Sequence, residues 1–163
     1  MFKSTGFLAE EERKALLPTN ERLEKGAVAI IECPEPIPCN PCQNACPRNA
    51  IKKFSKITDL PVIDFDLCNG CGNCIAVCPG LAIYVLQKNY SEKTSLLKIP
   101  YEMLPIPEKE EECEVLSRSG EIIGKGTVKK IQAFKVNPKG RVLWIEVPKS
   151  ISLEARNIRL VRE

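Results

Sequence analysis

The most constraining feature of this chain is a run of four cysteines in residues 68–79. The run reads Cys-Asn-Gly-Cys-Gly-Asn-Cys-Ile-Ala-Val-Cys-Pro, so two, two and three residues separate the thiols and proline follows the last. This spacing is typical of iron–sulfur ligands, because three thiolates from one tight loop can reach three corners of a cluster. Gly70 and Gly72 allow the positive φ angles that such a loop needs. We expect a short helix over residues 74–78, which Pro79 ends.

A second cysteine group lies upstream and repeats the first at an offset of 32 residues. The repeat predicts a cysteine at position 36, where the chain has Pro36, and the unmatched thiol lies three residues earlier at Cys33. Six matches at one offset indicate an internal duplication. The matching pairs are Cys39 and Cys71, Cys42 and Cys74, Cys46 and Cys78, Pro47 and Pro79, Ala50 and Ala82, and Ile51 and Ile83.

Nine cysteines are many for 163 residues, and the chain contains no histidine. A secreted disulfide framework is also rich in cysteine, but its cysteines rarely bunch into CxxC runs. The first residues hold no apolar stretch long enough for a signal peptide, and no apolar segment approaches the length of a membrane span. We therefore expect a cytoplasmic protein, in a reducing compartment that keeps thiols available for metal.

Neither charge nor motif predicts catalysis by this chain. The net charge is +3, and lysines and arginines are interleaved with glutamates rather than clustered on a basic face for nucleic acid. The sequence lacks a P-loop, a dinucleotide glycine motif and any histidine for general acid–base chemistry. Electron transfer is the most economical interpretation, since the cofactor then does the chemistry and the protein positions it.

The chain divides by composition into four predicted segments. Residues 1–26 combine charge with a narrow apolar stripe, which predicts a helical extension. Residues 27–88 hold the cysteine groups between short apolar runs, and residues 89–112, rich in proline and charge, are predicted to be a linker. Alternating apolar residues in 113–163 predict a small all-β module of the SH3-like or OB-like kind. The predicted fold class is therefore α+β.

Residues 27–88 resemble bacterial-type dicluster ferredoxin domains, and the two cysteine groups that end in Cys-Pro carry the resemblance. The resemblance implies an α+β dicluster core with two [4Fe-4S] clusters, each bound by three thiolates from one group and one from the other. The first cluster would take Cys33, Cys39, Cys42 and Cys78. The second cluster would take Cys46, Cys68, Cys71 and Cys74.

Two alternatives stay open at these sites. Because the position of Cys33 departs from the family spacing, a [3Fe-4S] centre is expected at the first site if Cys33 is not a ligand. Zinc is the rival metal, but structural zinc prefers CxxC pairs separated by a dozen or more residues, often with histidine. The ninth thiol, Cys113, opens a predicted strand and is interpreted as a small buried apolar residue.

Two phrases of the sequence carry a second resemblance. Residues 32–42 and 78–83 are similar to small iron–sulfur subunits of flavin-dependent amino-acid dehydrogenases of the proline/hydroxyproline kind. The two stretches read Glu-Cys-Pro-Glu-Pro-Ile-Pro-Cys-Asn-Pro-Cys and Cys-Pro-Gly-Leu-Ala-Ile. This resemblance implies a flavoprotein partner in a hetero-oligomer. The alternatives are a free ferredoxin and an iron–sulfur protein with a regulatory or nucleic-acid-binding role, for which Trp144 could provide a stacking surface.

The two cysteine loops also differ in backbone donors. The first loop contains prolines, which have no N–H to donate to cluster sulfur, whereas the second has asparagine and glycine in the equivalent places. We therefore expect the first cluster to have the more negative potential. The four prolines concerned are Pro34, Pro36, Pro38 and Pro41.

Overall fold

One antiparallel sheet of seven strands runs through the computed structural model, which describes residues 2–162. In chain order the strands are β1 (Val28–Ile31), β2 (Ile83–Gln87), β3 (Thr94–Tyr101), β4 (Glu112–Leu116), β5 (Ile122–Phe134), β6 (Asn137–Pro148) and β7 (Asn157–Leu160). Across the sheet the order is β1-β2-β3-β6-β5-β4-β7, and every neighbouring pair is antiparallel. The sheet therefore joins the cysteine-bearing part of the chain to its C-terminal part without a break.

The α-helices in the described part of the chain are short, with four or five residues each. The last two belong to the cysteine groups and pack against each other. The helix predicted at residues 74–78 is present one residue earlier. None of the helices within residues 2–162 is long and apolar enough to cross a membrane. They are α1 (Phe2–Thr5), α2 (Glu10–Lys14), α3 (Asn20–Glu24), α4 (Pro41–Asn44) and α5 (Asn73–Val77), with a 3-10 turn at Lys149–Ile151.

Strands β1 and β2 are buried on both faces, which explains why they read as continuous apolar runs. In β1, Val28 and Ile30 pack into a core shared with β3 to β7, while Ala29 and Ile31 pack against the cysteine loops. Strand β2 alternates in the same way. The sheet thus separates a mostly apolar core, which includes Cys113, from the side of the protein that carries the two cysteine groups.

The predicted α+β fold class is wrong, because the protein is mostly this seven-stranded sheet with a few short helices. The supposed linker, residues 89–112, contains β3, which pairs with β6 along its whole length from Thr94 to Tyr101. Pro100 made the segment look irregular, yet it lies beyond the residues of β3 that pair with β2, so its missing N–H breaks no ladder on that side. Residues 113–163 continue the same sheet rather than forming an SH3-like or OB-like module.

The predicted helical extension at residues 1–26 is corrected as well. Helices α1 to α3 are single turns, and the chain around them is anchored to the rest of the protein. Leu8 and Leu23 are buried, and Arg13 forms an ion pair with Glu154, far along the sequence. The outer ends of the predicted extension and module, Met1 and Glu163, lie outside the described residues. How the chain divides into independent folding units stays a prediction.

Candidate metal centres

The first cysteine group borders a small cavity between the loop that precedes α4 and the chain that follows α5. Four cysteines line it, together with apolar walls from Ile31, Phe54 and Ile83. We call this cavity the first site. Its four cysteines are Cys33, Cys39, Cys42 and Cys78.

A second cavity is bordered by the cysteine run at residues 68–79 and by Ala50, Ile51 and Ile63, and we call it the second site. Three of its cysteines come from the run at residues 68–79 and the fourth, Cys46, comes from the upstream group. The structure therefore brings the eight predicted cysteines together in the two predicted sets of four, with Cys46 and Cys78 exchanged between groups. Their role as ligands stays a prediction. The four at the second site are Cys46, Cys68, Cys71 and Cys74.

In both sites the thiols are spread around the wall of a cavity. Within residues 2–162, no three Cys, Asp or Glu side chains are grouped so that they could hold one metal ion. A polynuclear cluster takes one thiolate at each of its iron atoms, so its ligands surround a volume rather than a point. Four thiols around each of two adjoining cavities are the donor set that two such clusters need.

The second loop needs glycine for two different reasons. Gly70 and Gly72 have φ angles of +65° and +92°, in the left-handed region that favours glycine, so the predicted positive φ angles are confirmed. At Gly70 there is also no room for a side chain, because a Cβ atom would lie 2.6 Å from the Cβ of Ala27. Gly72 is the N-cap of α5, where its conformation turns the chain into the helix that carries Cys74.

Backbone N–H groups donate hydrogen bonds to several of the cysteine sulfurs. Ala50 donates to Cys46 Sγ at 3.3 Å and Ala82 donates to Cys78 Sγ at 3.4 Å, a pair related by the 32-residue repeat. Cys68 Sγ accepts from the N–H groups of Ala29 and Gly70, at 3.3 and 3.4 Å. The backbone N–H groups of Glu35 and Gln43 also donate to Cys33 and Cys42, so sulfurs of both sites have backbone donors and the expected difference in potential stays a prediction.

Burial makes these thiols poor acids in the absence of a positive partner. Burial, together with the nearby Cys68 and Cys71 thiolates, raises the pKa of Cys74 to about 12. Burial likewise raises the pKa of Cys42 to about 11 and raises that of Cys33. A buried thiolate is favoured when a metal centre supplies compensating positive charge, so the donor set fits metal clusters.

The charged side chains around the two sites differ in sign. Glu35 and Asp59 line the first site, whereas Arg48 lines the second. Two more cations, Arg22 and Lys98, donate to backbone carbonyls of the second loop. The pKa of Lys98 lies below its ordinary value, because burial lowers it by more than the nearby Cys71 thiolate raises it.

The sequence interpretation missed Arg22 and Lys98, which lie 46 and 27 to 28 residues from the loop positions they contact. For Lys98 a signal did exist. A lysine inside the apolar run Leu96–Ile99 is rarely buried without a partner, so its position could have prompted a search for one.

Two residues singled out from the sequence lie away from both sites. Cys113 is 3% exposed in β4, its Sγ lies 3.5 Å from the Gly126 carbonyl, and burial raises its pKa to about 11, so the buried apolar role is confirmed. Trp144 donates its indole N–H to Gln132, and both Lys98 and Lys130 lie over its ring. The indole is therefore already engaged by the protein's own side chains.

Comparison with known protein families gives two overlapping matches. Residues 37–82 match a family described as a 4Fe-4S dicluster domain, and residues 60–126 match another family of the same description. The first match spans both cysteine groups from Cys39 to Cys78, whereas Cys33 lies outside both matches. No solved structure matches the chain significantly.

Several curated proteins are similar to part of the chain. Ferredoxin-type protein NapF of Haemophilus influenzae is 45% identical over 49 residues, which are 29% of this chain and 28% of that protein. The polyferredoxin-like subunit of an aliphatic sulfonate oxidoreductase of Pyrococcus furiosus is 40% identical over 50 residues, 31% of this chain and 26% of that protein. Protein Pixie of Drosophila melanogaster is 33% identical over 110 residues, 60% of this chain and 17% of that protein. The chain thus spans less than a third of each relative's length.

Proposed function

The chain carries a 4Fe-4S dicluster domain of the ferredoxin type, which binds two [4Fe-4S] clusters, and from this premise we propose that the protein transfers electrons as the iron–sulfur subunit of a flavin-containing oxidoreductase complex. The observation that carries the proposal is the pair of adjoining cavities, each lined by four cysteines. In this proposal the protein acts in the cytoplasm, and catalysis on the organic substrate takes place on the partner.

When bound, the clusters supply one-electron chemistry, and the chain's own residues set the conditions for it. The proposed ligands are Cys33, Cys39, Cys42 and Cys78 at the first site, with the remaining quartet at the second. Apolar side chains of β1 and β2, among them Ile31 and Ile83, exclude water from the sheet side of the sites. The N–H groups that donate to cysteine sulfur stabilise the negative charge of the thiolates.

Two observations support a bound subunit over a freely diffusing carrier. One relative is by its name a subunit of an oxidoreductase, although it shares only 50 aligned residues with this chain. In addition, several large apolar residues on the cysteine-bearing segments are exposed, which is common where a partner docks. They include Ile37, Ile57, Leu60, Val62 and Leu81. The amino-acid dehydrogenase class of the flavoprotein rests on the resemblance of residues 32–42 and 78–83.

The test is anaerobic purification of the tagged full chain from its source organism. We expect a flavoprotein at a fixed ratio, and we expect the substrate of that flavoprotein to bleach the visible absorption of the clusters. A Cys78→Ser variant should lose part of that bleaching, whereas Cys113→Ser, a change outside both sites, should keep it. Clusters that bleach with dithionite in a protein that brings down no flavoprotein would contradict the subunit role. Co-purified nucleic acid in place of a flavoprotein would favour the regulatory alternative.

A further inference from the structure

Two cations contact the backbone of the second cysteine loop from outside. Lys98, on β3, is 8% exposed, and its Nζ donates to the Gly70 carbonyl at 2.6 Å and to the Cys71 carbonyl at 3.5 Å. Arg22, on α3, donates to the Cys68 carbonyl at 2.6 Å. The loop that carries three of the second-site cysteines is thus contacted by positive side chains at its first residue and near its middle.

Neither cation forms an ion pair within residues 2–162. All the other hydrogen bonds of the Arg22 guanidinium go to backbone carbonyls, namely those of Phe65, Gly26 and Ala27. Lys98 has the ring of Trp144 at 4.0 Å as its further neighbour, which favours a cation without neutralising it. A cation buried without a carboxylate is costly, so the position of Lys98 favours a negative group at the second site, and the half-buried Arg22 adds a second positive charge on the same loop.

The first site has the opposite surroundings. Glu35 and Asp59 line its cavity, and no lysine or arginine does. An added electron is therefore disfavoured by two carboxylates at the first site and favoured by two cations at the second. This contrast is independent of the backbone N–H groups that distinguish the two loops.

We propose that Arg22 and Lys98 are charge-compensating residues for the second cluster, which they hold at a higher reduction potential than the first. The proposal rests on the proposed function in so far as it requires two clusters. It makes the second site the place where an electron resides in the one-electron-reduced protein. A unit charge within about 10 Å of a cluster, at an effective dielectric constant of about 20, changes the equilibrium constant for reduction of that cluster about tenfold.

The experiment is potentiometric EPR of the full chain with its clusters, after iron and sulfide analysis of each variant. In Lys98→Met we expect the equilibrium constant for reduction of the second cluster to fall about tenfold. This corresponds to a reduction potential lower by about 59 mV for one electron. The wave of the first cluster in the same molecule should not move. Lys130→Met is the matched control, because Lys130 is an exposed lysine over the same Trp144 ring and contacts neither loop. The waves are assigned with Cys39→Ser and Cys68→Ser variants.

Arg22 gives an independent second test if Lys98→Met fails to assemble. Arg22→Gln should lower the second-cluster potential, and Arg22→Lys, which keeps the charge but loses hydrogen bonds, should restore most of it. A purely structural role would make both variants lose cluster to similar extents, without a shift in the remaining signal. Unmoved waves in both neutral variants, or equal shifts of both waves, would overturn the proposal. A protein without iron and sulfide would overturn the proposed function, and this inference with it.

Discussion

At the scale of single residues, Cys46 and Cys78 connect the two sites. Each is the last cysteine of its own group in sequence, and each lines the cavity formed mainly by the cysteines of the other group. The resemblance to dicluster ferredoxin domains implied this exchange, and the structure brings the cysteines together in the two expected sets of four.

We predict that Cys78→Ala damages the first cluster and leaves the second largely intact. Cys78 belongs to the second run in sequence but lines the first site with Cys33, Cys39 and Cys42. EPR of the anaerobically purified variant distinguishes the two signals, with Cys46→Ala as the reciprocal control. Damage confined to the second cluster in Cys78→Ala would show that ligands do not cross.

Gly70→Ala should impair the second site through the backbone. The new methyl group would lie 2.6 Å from the Cβ of Ala27, and φ at this position is +65°. We expect a cost of roughly 1–3 kcal/mol for the backbone alone, and therefore lower second-site iron content. Gly80→Ala is the matched control, since a Cβ at Gly80 meets nothing within 4 Å. Equal iron and equal unfolding midpoints in the two variants would contradict this reading of Gly70.

At the scale of elements, a buried cluster of charges ties the end of β1 to the C-terminal half of the sheet. Glu32 accepts hydrogen bonds from Arg118 and Arg156, and Arg118 also pairs with Glu154. The side chains of Glu32 and Arg118 are 13% and 8% exposed. These residues lie 86 and 124 positions apart, so the ion pairs hold together parts of the chain that the sequence interpretation had separated.

Glu32→Gln should destabilise the protein by about 3–5 kcal/mol, because it leaves the mostly buried Arg156 without a counter-charge and Arg118 with only the more exposed Glu154. The measurement is a urea unfolding midpoint followed by far-UV circular dichroism under anaerobic conditions. Glu10→Gln, which breaks an exposed pair with Lys14, is the control and should leave the midpoint where it is. A Glu32→Gln midpoint equal to that of the control would show that the buried pair contributes nothing.

The sequence predicted elements better than it predicted their arrangement. Short apolar runs beside the cysteine groups and alternation after residue 112 indicated β-structure in both regions, since these patterns are local, and the structure has strands in both. The pairing of β3 with both β2 and β6 could not be read from any local pattern, and Pro100 hid the strand itself. The eight cysteines were predictable because metal ligation imposes a fixed spacing. Arg22 and Lys98 were not, because their contacts depend on how the sheet packs against the loop.

At the scale of the whole molecule, the continuous sheet changes what a truncation should do. The division into a core at residues 27–88 and a module at 113–163 would leave clusters intact after removal of residues 97–163. In the structure that deletion removes Lys98 and the strands β4 to β7, and with them most of the apolar core behind β1 and β2. We therefore expect the truncated chain to lose both clusters, as iron analysis would reveal. Two intact clusters in it would show that residues up to 96 fold independently.

The central claim is that eight thiols of this chain bind two [4Fe-4S] clusters, and metal analysis tests it most directly. The full chain, purified without exposure to oxygen, is assayed for iron, acid-labile sulfide and zinc in the same sample. The account predicts about eight iron and about eight sulfide per chain, with zinc absent. About seven iron would place a [3Fe-4S] centre at the first site and remove Cys33 from the ligands. About two zinc per chain without sulfide would contradict the claim itself.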